Sequence, residues 1–280
     1  MVPSERRRFS WRSRLGPCAL GLGALAGGSA CTELAPGTDI LRATPEQLGA
    51  ADGGAERVDP RWACLGKTAA PSAVALRPSV GLTLAVLDPA LQTTPAGLQV
   101  RACNRIDVDC MTPALAATGV SSDGLVHLSL DQGFNGFLEI TSPTIVPFLF
   151  FVSRPLQTER QETLNVIGPG ALQALAGSGD VTINQTLGFL LLRSFDCQGE
   201  LTPGVAISNG AGGEPFNFVD GLPNVGGDVT ESDGIVGFVN VPTGSVVAQG
   251  IEQNTGALTG TVNVVVRRGW FTYGDLNPPR

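Results

Sequence analysis

The sequence predicts an all-β protein on three observations. Glycine and proline, 37 and 20 of 280 residues, are scattered between short apolar runs, which favours many turns over long helices. The apolar runs are strand-sized and recur with turn signals about every ten residues, the spacing of a sandwich or barrel. One strand-and-turn plan also occurs twice. In the first copy an apolar run at residues 81–87 ends at Asp88, Pro95-Ala96-Gly97 turns into Leu98-Gln99-Val100, and Asp123-Gly124 opens a strand at 125–130. In the second, a run at 188–195 ends at Asp196, Pro203-Gly204 turns into Val205-Ala206-Ile207, and Asp233-Gly234 opens a strand at 235–239. Counted from the first aspartate, the turn glycine follows after 9 and 8 residues and the Asp-Gly pair after 35 and 37. Self-similarity of this kind marks a duplicated structural unit.

Taken in order, the chain opens with Arg6-Arg7-Arg8-Phe9, an apolar stretch rich in Gly, Ala and Leu, and then Gly28-Ser29-Ala30-Cys31. Charged, apolar and small-residue zones in that order form a cleavable export signal, and the apolar part is well short of the ~18 residues that span a bilayer. Residues 1–30 resemble a bacterial lipoprotein signal, and Arg6-Arg7-x-Phe9 also resembles the twin-arginine export signal. The first resemblance implies a lipid on Cys31 that anchors the protein in a membrane; Thr32 after it, in place of the aspartate of inner-membrane retention, points to the outer membrane. The alternative is an ordinary secretory signal cut near Ala30. Residues 31–61, rich in Ala, Gly, Pro and acid, read as a flexible tether, and folded structure is expected from Trp62-Ala63-Cys64-Leu65.

Module one is placed at 62–158. Beyond the landmarks above it has strands at 136–141 and 145–152; the latter, eight residues with Pro147 inside, is too short for a membrane span and suits a sheet edge or a domain interface. A linker at 159–180 contains Gly168-Pro169-Gly170 and a short helix at 171–176. Module two, 181–280, adds strands at 245–251 and 260–267.

Leu191-Leu192-Arg193-Ser194-Phe195-Asp196-Cys197-Gln198-Gly199, Pro203-Gly204-Val205-Ala206-Ile207, Thr230-Glu231-Ser232-Asp233-Gly234 and Val241-Pro242-Thr243-Gly244 together resemble the carboxypeptidase regulatory-like module. The resemblance covers about 181–267 well and 75–153 more loosely, where 104–113 is an insertion. It implies two tandem Greek-key β-sandwich domains, transthyretin-like in fold, behind the signal and tether. Such motifs are strand and turn punctuation, and they carry fold rather than activity.

Charge and residue counts narrow the function. The chain carries a formal net charge of −7, and loss of residues 1–30 removes Arg6, Arg7, Arg8, Arg12 and Arg14 against only Glu5. Nucleic acid is therefore not an expected partner, since phosphate binding depends on Lys and Arg. The single histidine, His127, and single tyrosine, Tyr273, cannot supply the zinc ligands of a carboxypeptidase or the Tyr and His iron ligands of an intradiol dioxygenase. No Gly-x-Ser-x-Gly elbow is present, the nearest being Ala206-Ile207-Ser208-Asn209-Gly210. On its strand His127 alternates with Val126 and Leu128, so it belongs to the wetter face. Asp107 with Asp109, and Asp228 with Glu231 and Asp233, are the densest carboxylates, but neither group has the spacing of a calcium loop, and turn formation explains them. Asn184-Gln185-Thr186 has the form of a glycosylation sequon and is given no role. No metal or cofactor is expected.

Four cysteines remain after Cys18 and Cys31: Cys64, Cys103, Cys110 and Cys197. Export makes disulfides the natural reading. Cys103 and Cys110 flank a loop short enough for a local bridge, which leaves Cys64 and Cys197 to join the start of module one to the first strand of module two. Four cysteines allow three pairings, so spacing alone does not fix the choice. The aromatics Trp270, Phe271 and Tyr273, close to Arg267 and Arg268, are the possible binding surface, able to stack on a sugar or pack on a partner; the alternative is a last strand that fills the sandwich. The expected function is that of a non-catalytic, envelope-anchored lipoprotein whose surface binds or scaffolds a protein or glycan partner. The alternative is an accessory or enzymatic part of envelope carbohydrate or peptide processing.

Overall fold

A computed structural model describes residues 59–67, 75–89 and 91–279. The export signal, Cys31 and all but the last residues of the tether lie outside the described residues. The fold is all-β, as the sequence predicts, with fifteen strands and one α-helix among the described residues. Copy one contributes β1 (Ser79–Leu87), β2 (Gln99–Asn104), β3 (Leu115–Gly119), β4 (Val126–Asp131), β5 (Gly136–Thr141), β6 (Phe148–Phe151) and β7 (Arg160–Asn165). The helix α1 (Pro169–Ser178) follows, with Pro169 at its first turn where a missing N–H is harmless. Copy two contributes β8 (Gly188–Ser194), β9 (Val205–Asn209), β10 (Glu214–Val219), β11 (Leu222–Val225), β12 (Ile235–Val241), β13 (Gly244–Glu252), β14 (Leu258–Val266) and β15 (Phe271–Leu276).

The duplication read from the sequence is a duplication of pairing. In copy one, β1 lies between antiparallel β4 and parallel β7, and β5 between β2 and β6. In copy two, β8 lies between antiparallel β12 and parallel β15, and β13 between β9 and β14. The copies are joined edge to edge: β15 pairs in parallel with β6, Phe271 opposite Phe148 and Tyr273 opposite Phe150. The result is one nine-stranded sheet in the order β11-β10-β12-β8-β15-β6-β5-β2-β3, with three-stranded sheets β4-β1-β7 and β14-β13-β9 beside it.

Strand alternation sorts the side chains of this sheet into two cores. On one face Val100, Leu138, Ile140, Phe150 and Phe271 pack with Leu82, Leu84 and Leu128 of β4-β1-β7 and with Leu172 of α1. On the other face Phe137, Leu149, Leu190, Leu192 and Phe238 pack with Ala248, Val262 and Val264 of β14-β13-β9. Each small sheet thus covers one half of the large one, on opposite faces.

The segment 145–152, read as a sheet edge or a domain interface, yields β6 at the junction of the copies in the middle of the large sheet, so all four of its residues are buried. Two other placements differ from the sequence reading. The expected linker 159–180 holds α1 but also β7, a strand of copy one. Residues 59–62, all but Trp62 expected in the tether, form a 3-10 turn in which Asp59 accepts from the Arg61 backbone N–H at 2.9 Å. Trp62 of that turn packs in the second core, with copy two. The disulfide between Cys64 and Cys197 pins it there, and the Cys197 backbone N–H donates to the Arg61 carbonyl at 2.9 Å. The second disulfide joins Cys103 and Cys110. Among the described residues no helix is long and apolar enough to cross a membrane.

Candidate binding site

The large sheet leaves one half of each face without a covering sheet. On the face that carries α1, the helix lies over the copy-two half of the sheet, whose edge the β10-β11 hairpin extends. A cleft of about 440 Å³ remains between the helix, the hairpin and the sheet. Leu191, Val239, Phe271 and Tyr273 line it from the sheet, Leu172, Leu175 and Ala176 from α1, and Phe216, Phe218 and Val225 from the hairpin. The residues needed for this wall come from the alternation of β8, β12 and β15, whose other sides fill the second core.

Beside the cleft, β8 and β15 bring charged groups inside the protein. Arg193 donates from Nε to Asp275 at 2.8 Å and lies 3.5 Å from Glu162 of β7; Arg160 approaches Asp275 at 3.6 Å. Two cations and two carboxylates therefore balance in a poorly solvated setting, where an unmatched charge would be strongly unfavourable. Burial pulls the Arg193 pKa down, but Asp275, Tyr273 and Glu162 more than reverse it, so the guanidinium stays charged. It also stacks over Tyr273 and Phe195, 4.9 and 5.1 Å from the ring centroids. Burial pushes the Tyr273 phenol up to about 12, with Arg193 opposing and Asp275, Glu162 and Asp233 adding. Burial likewise holds the Asp233 carboxyl above its ordinary range, against the hydrogen bond it accepts from the Ile235 N–H at 3.1 Å.

On the opposite face the copy-one half carries a shelf lined by Gln99, Arg101, Ala117, Glu139, Thr141 and Trp270. Glu139, its side chain 2 % exposed, accepts from Arg101 on β2 and from Arg267, the residue after β14. Arg267 also donates to the Val108 carbonyl of the loop closed by Cys103 and Cys110, and stacks on Trp270 at 5.1 Å.

The three predicted aromatics are thus divided. Trp270 is half-buried on the shelf, whereas Phe271 and Tyr273 are 6 % and 7 % exposed and lie in the first core, where they line the cleft. Alternation along β15 sends neighbouring residues to opposite faces, so a contiguous aromatic surface is not formed. The carboxylates read as turn formers behave as such: Asp107 accepts from the N–H groups of Thr112 and Met111 at 2.7 and 2.9 Å, and these bonds lower its pKa, that of Thr112 most. The Asp233 carboxylate accepts from the Ile235 N–H two residues on. Among the described residues, the one grouping of His, Cys, Asp or Glu side chains close enough to share a cation is Cys103, Cys110 and Glu139, and both of its sulfurs are in the disulfide.

His127 stands on the outer face of β4, with Nε2 2.8 Å from Asp123 and Nδ1 3.3 Å from the Thr83 hydroxyl. That is the connectivity of a nucleophile, base and orienting acid, but His127 and Asp123 are 50 % and 51 % exposed on an open strand surface, without the enclosed site that such chemistry needs. Sequence reading missed the cleft. The two apolar sides of β8 were visible as the run Phe189-Leu190-Leu191-Leu192, but a run buried on both sides does not say what covers each.

No family model matches the chain, and no curated protein is matched. Among solved structures it is similar to the Bacillus anthracis TIE protein, with 12 % identity over 71 % of this chain and 34 % of that one and a TM-score of 0.23. It is also similar to the shaft pilin SpaA from Lactobacillus rhamnosus GG, with 10 % identity over 71 % and 98 % and a TM-score of 0.23. A third is GBS52, the minor pilin of the Gram-positive pathogen Streptococcus agalactiae, with 12 % identity over 71 % and 95 % and a TM-score of 0.24. The chain spans about a third of the TIE protein. At these values the likenesses carry no argument about function.

Proposed function

We propose that this chain is a non-catalytic binding protein of the bacterial envelope, exported by residues 1–30 and held at a membrane, the outer one by expectation, through lipid on Cys31. In this reading the two sandwiches are of the carboxypeptidase regulatory-like type, and the tether lets them stand off the bilayer. The observation that carries the binding role is the apolar cleft, whose size falls in the ~300 to 1,000 Å³ range of ligand pockets and whose described lining is mostly aliphatic and aromatic. Its walls come from a sheet continuous through both copies, so the site is preformed on rigid elements. The Trp270 shelf supports a second contact, with a protein or glycan partner at the envelope, because an aromatic face flanked by Gln99, Arg101 and Thr141 suits sugar stacking.

Cell fractionation tests the anchor. The wild-type chain is expected in the membrane fraction and Cys31→Ala in the soluble fraction, since lipid chains supply the attachment. A Cys31→Ala chain that still pellets with membranes would overturn the lipid assignment.

A further inference from the structure

We infer that the Trp270 shelf binds a sugar that carries a carboxylate, with the sugar ring against the indole and the carboxylate on Arg101. The inference rests on the binding role proposed above and names the ligand class for its second contact.

Strand pairing builds the site. Across β2 and β5, Gln99 stands opposite Thr141 and Arg101 opposite Glu139. Residues two apart on a strand share a face, so the two cross-strand pairs lie side by side. With Ala117 of β3 and with Trp270 they line a hollow of about 400 Å³. Trp270 lies just before β15, whereas the disulfide between Cys64 and Cys197, close to where the described chain begins, lies past Ser194 and Leu276, which pair at the other end of β8 and β15. The shelf and that entry point are thus separated by about the length of β15, ~20 Å.

Charge and hydrogen bonding select the ligand. Glu139 is the one carboxylate among the lining residues; it is buried and already shared by the guanidiniums of Arg101 and Arg267. A cationic ligand therefore finds no free counter-charge there. Arg101 donates to Glu139 through Nε, which leaves both of its Nη groups without a hydrogen bond among the described residues. Glu139 thus holds the guanidinium plane while the Nη edge stays available, and such an edge takes a carboxylate in two parallel bonds. Asp107, whose charge also acts on Arg101, is not a lining residue, and its oxygens accept from Met111 and Thr112 of its own loop. The side chains of Gln99 and Thr141 have no hydrogen-bond partner among the described residues. An amide and a hydroxyl offer both donors and acceptors to sugar hydroxyls. Arg267 stacks on one face of Trp270 and leaves the other for a ring. A bare carboxylate would use Arg101 alone, and a neutral sugar would use everything except its charge.

Three probes separate these parts: trigalacturonate, its methyl ester and acetate, titrated by calorimetry at low salt into the full chain carrying Cys31→Ser, which is free of lipid. Trigalacturonate is expected to bind at least ~10-fold more tightly than the ester, the step that one charge-assisted pair supplies. Acetate is expected to give no measurable binding. Arg101→Gln should bring trigalacturonate down to the affinity of the ester and leave the ester unchanged. Trp270→Leu should weaken both sugars by at least ~5-fold through loss of the stacking ring. If either variant fails to fold, the comparison of acid with ester on the unsubstituted shelf still decides. Ester binding as tightly as acid, or trigalacturonate binding unchanged in Arg101→Gln, would overturn the assignment. If no sugar binds while the cleft still takes up the neutral probe N-phenyl-1-naphthylamine, this ligand is wrong and the binding role stands; if neither is taken up, both fall.

Discussion

The two copies follow one strand plan and diverge at the segment between β2 and β4 in copy one and between β9 and β12 in copy two. In copy one that segment is β3, which pairs with β2 and extends the sheet at its outer edge. In copy two it is the β10-β11 hairpin, which pairs with β12 instead and so crosses to the other sheet of its sandwich. The uncovered half that each copy leaves differs accordingly. In copy one, the strands facing outward on that half carry Gln99, Arg101, Glu139 and Thr141, a polar surface that water can wet. In copy two they carry Leu191, Val239, Phe271 and Tyr273, an apolar one that must be roofed. The lesson is that duplication preserved the pairing order and left the exposed face free to become a shelf in one copy and a cleft in the other.

The sharpest test of this contrast uses two adjacent leucines of β8. Leu190 is fully buried in the second core, while Leu191 borders the cleft. Leu190→Ala is expected to destabilise by roughly 3 to 5 kcal/mol, transfer and cavity terms together. Leu191→Ala should lose only roughly 1 to 2 kcal/mol, since it enlarges an existing opening. Equal losses in denaturant melts would mean that the copy-two half is as tightly covered on both faces.

The copy-one shelf is probed by Glu139→Ala, which strands Arg101 and Arg267 without their carboxylate. The expected loss is roughly 3 kcal/mol, at the lower end for a broken buried pair because Arg101 is 39 % exposed. A loss under about 1 kcal/mol would show that the shelf is a wet surface with an ordinary ion pair.

The smallest effect is a pH dependence at the cleft. A carboxyl whose pKa is raised on folding, as burial raises that of Asp233, binds its proton more tightly in the folded state. Its contribution therefore becomes less favourable as pH rises through and above the ordinary carboxylate value, and is harmless below it. Asp233→Asn should melt at the same temperature as wild type below about pH 4 and slightly higher at pH 7. A variant that melts lower at pH 7 would place Asp233 in a favourable ion pair, contrary to its described surroundings.

Much of this architecture is legible in the chain. The Asp-Gly and Pro-Gly punctuation marks most strand starts because glycine meets a real backbone demand there, as at Gly124 and Gly234, whose φ of 82° and 66° disfavour a side chain. The face of His127 follows from simple alternation, and both disulfides join the cysteines that spacing and export had suggested. The parallel junction of β6 with β15 is not legible, since Phe148-Leu149-Phe150-Phe151 records that it is buried but not by which strand. β7, with its exposed Gln161 and Thr163 side, lacks the apolar density that would have marked it as a strand inside the expected linker. The cleft was hidden for the related reason that Phe271 and Tyr273 read either as a binding surface or as a last strand that fills the sandwich until their neighbours are known.

The position of β15 also sets a schedule. It is the last of the described strands to be synthesised, and it sits in the middle of the sheet, between β8 and β6. Until it arrives, both of those strands present open edges of unpaired backbone, and the copies have no shared sheet to hold them. Such edges invite pairing with other chains, and contacts this distant in sequence form slowly. A chain of this design therefore benefits from being kept extended until its C-terminal strand is available, and folds as a zipper whose slider is the final tooth.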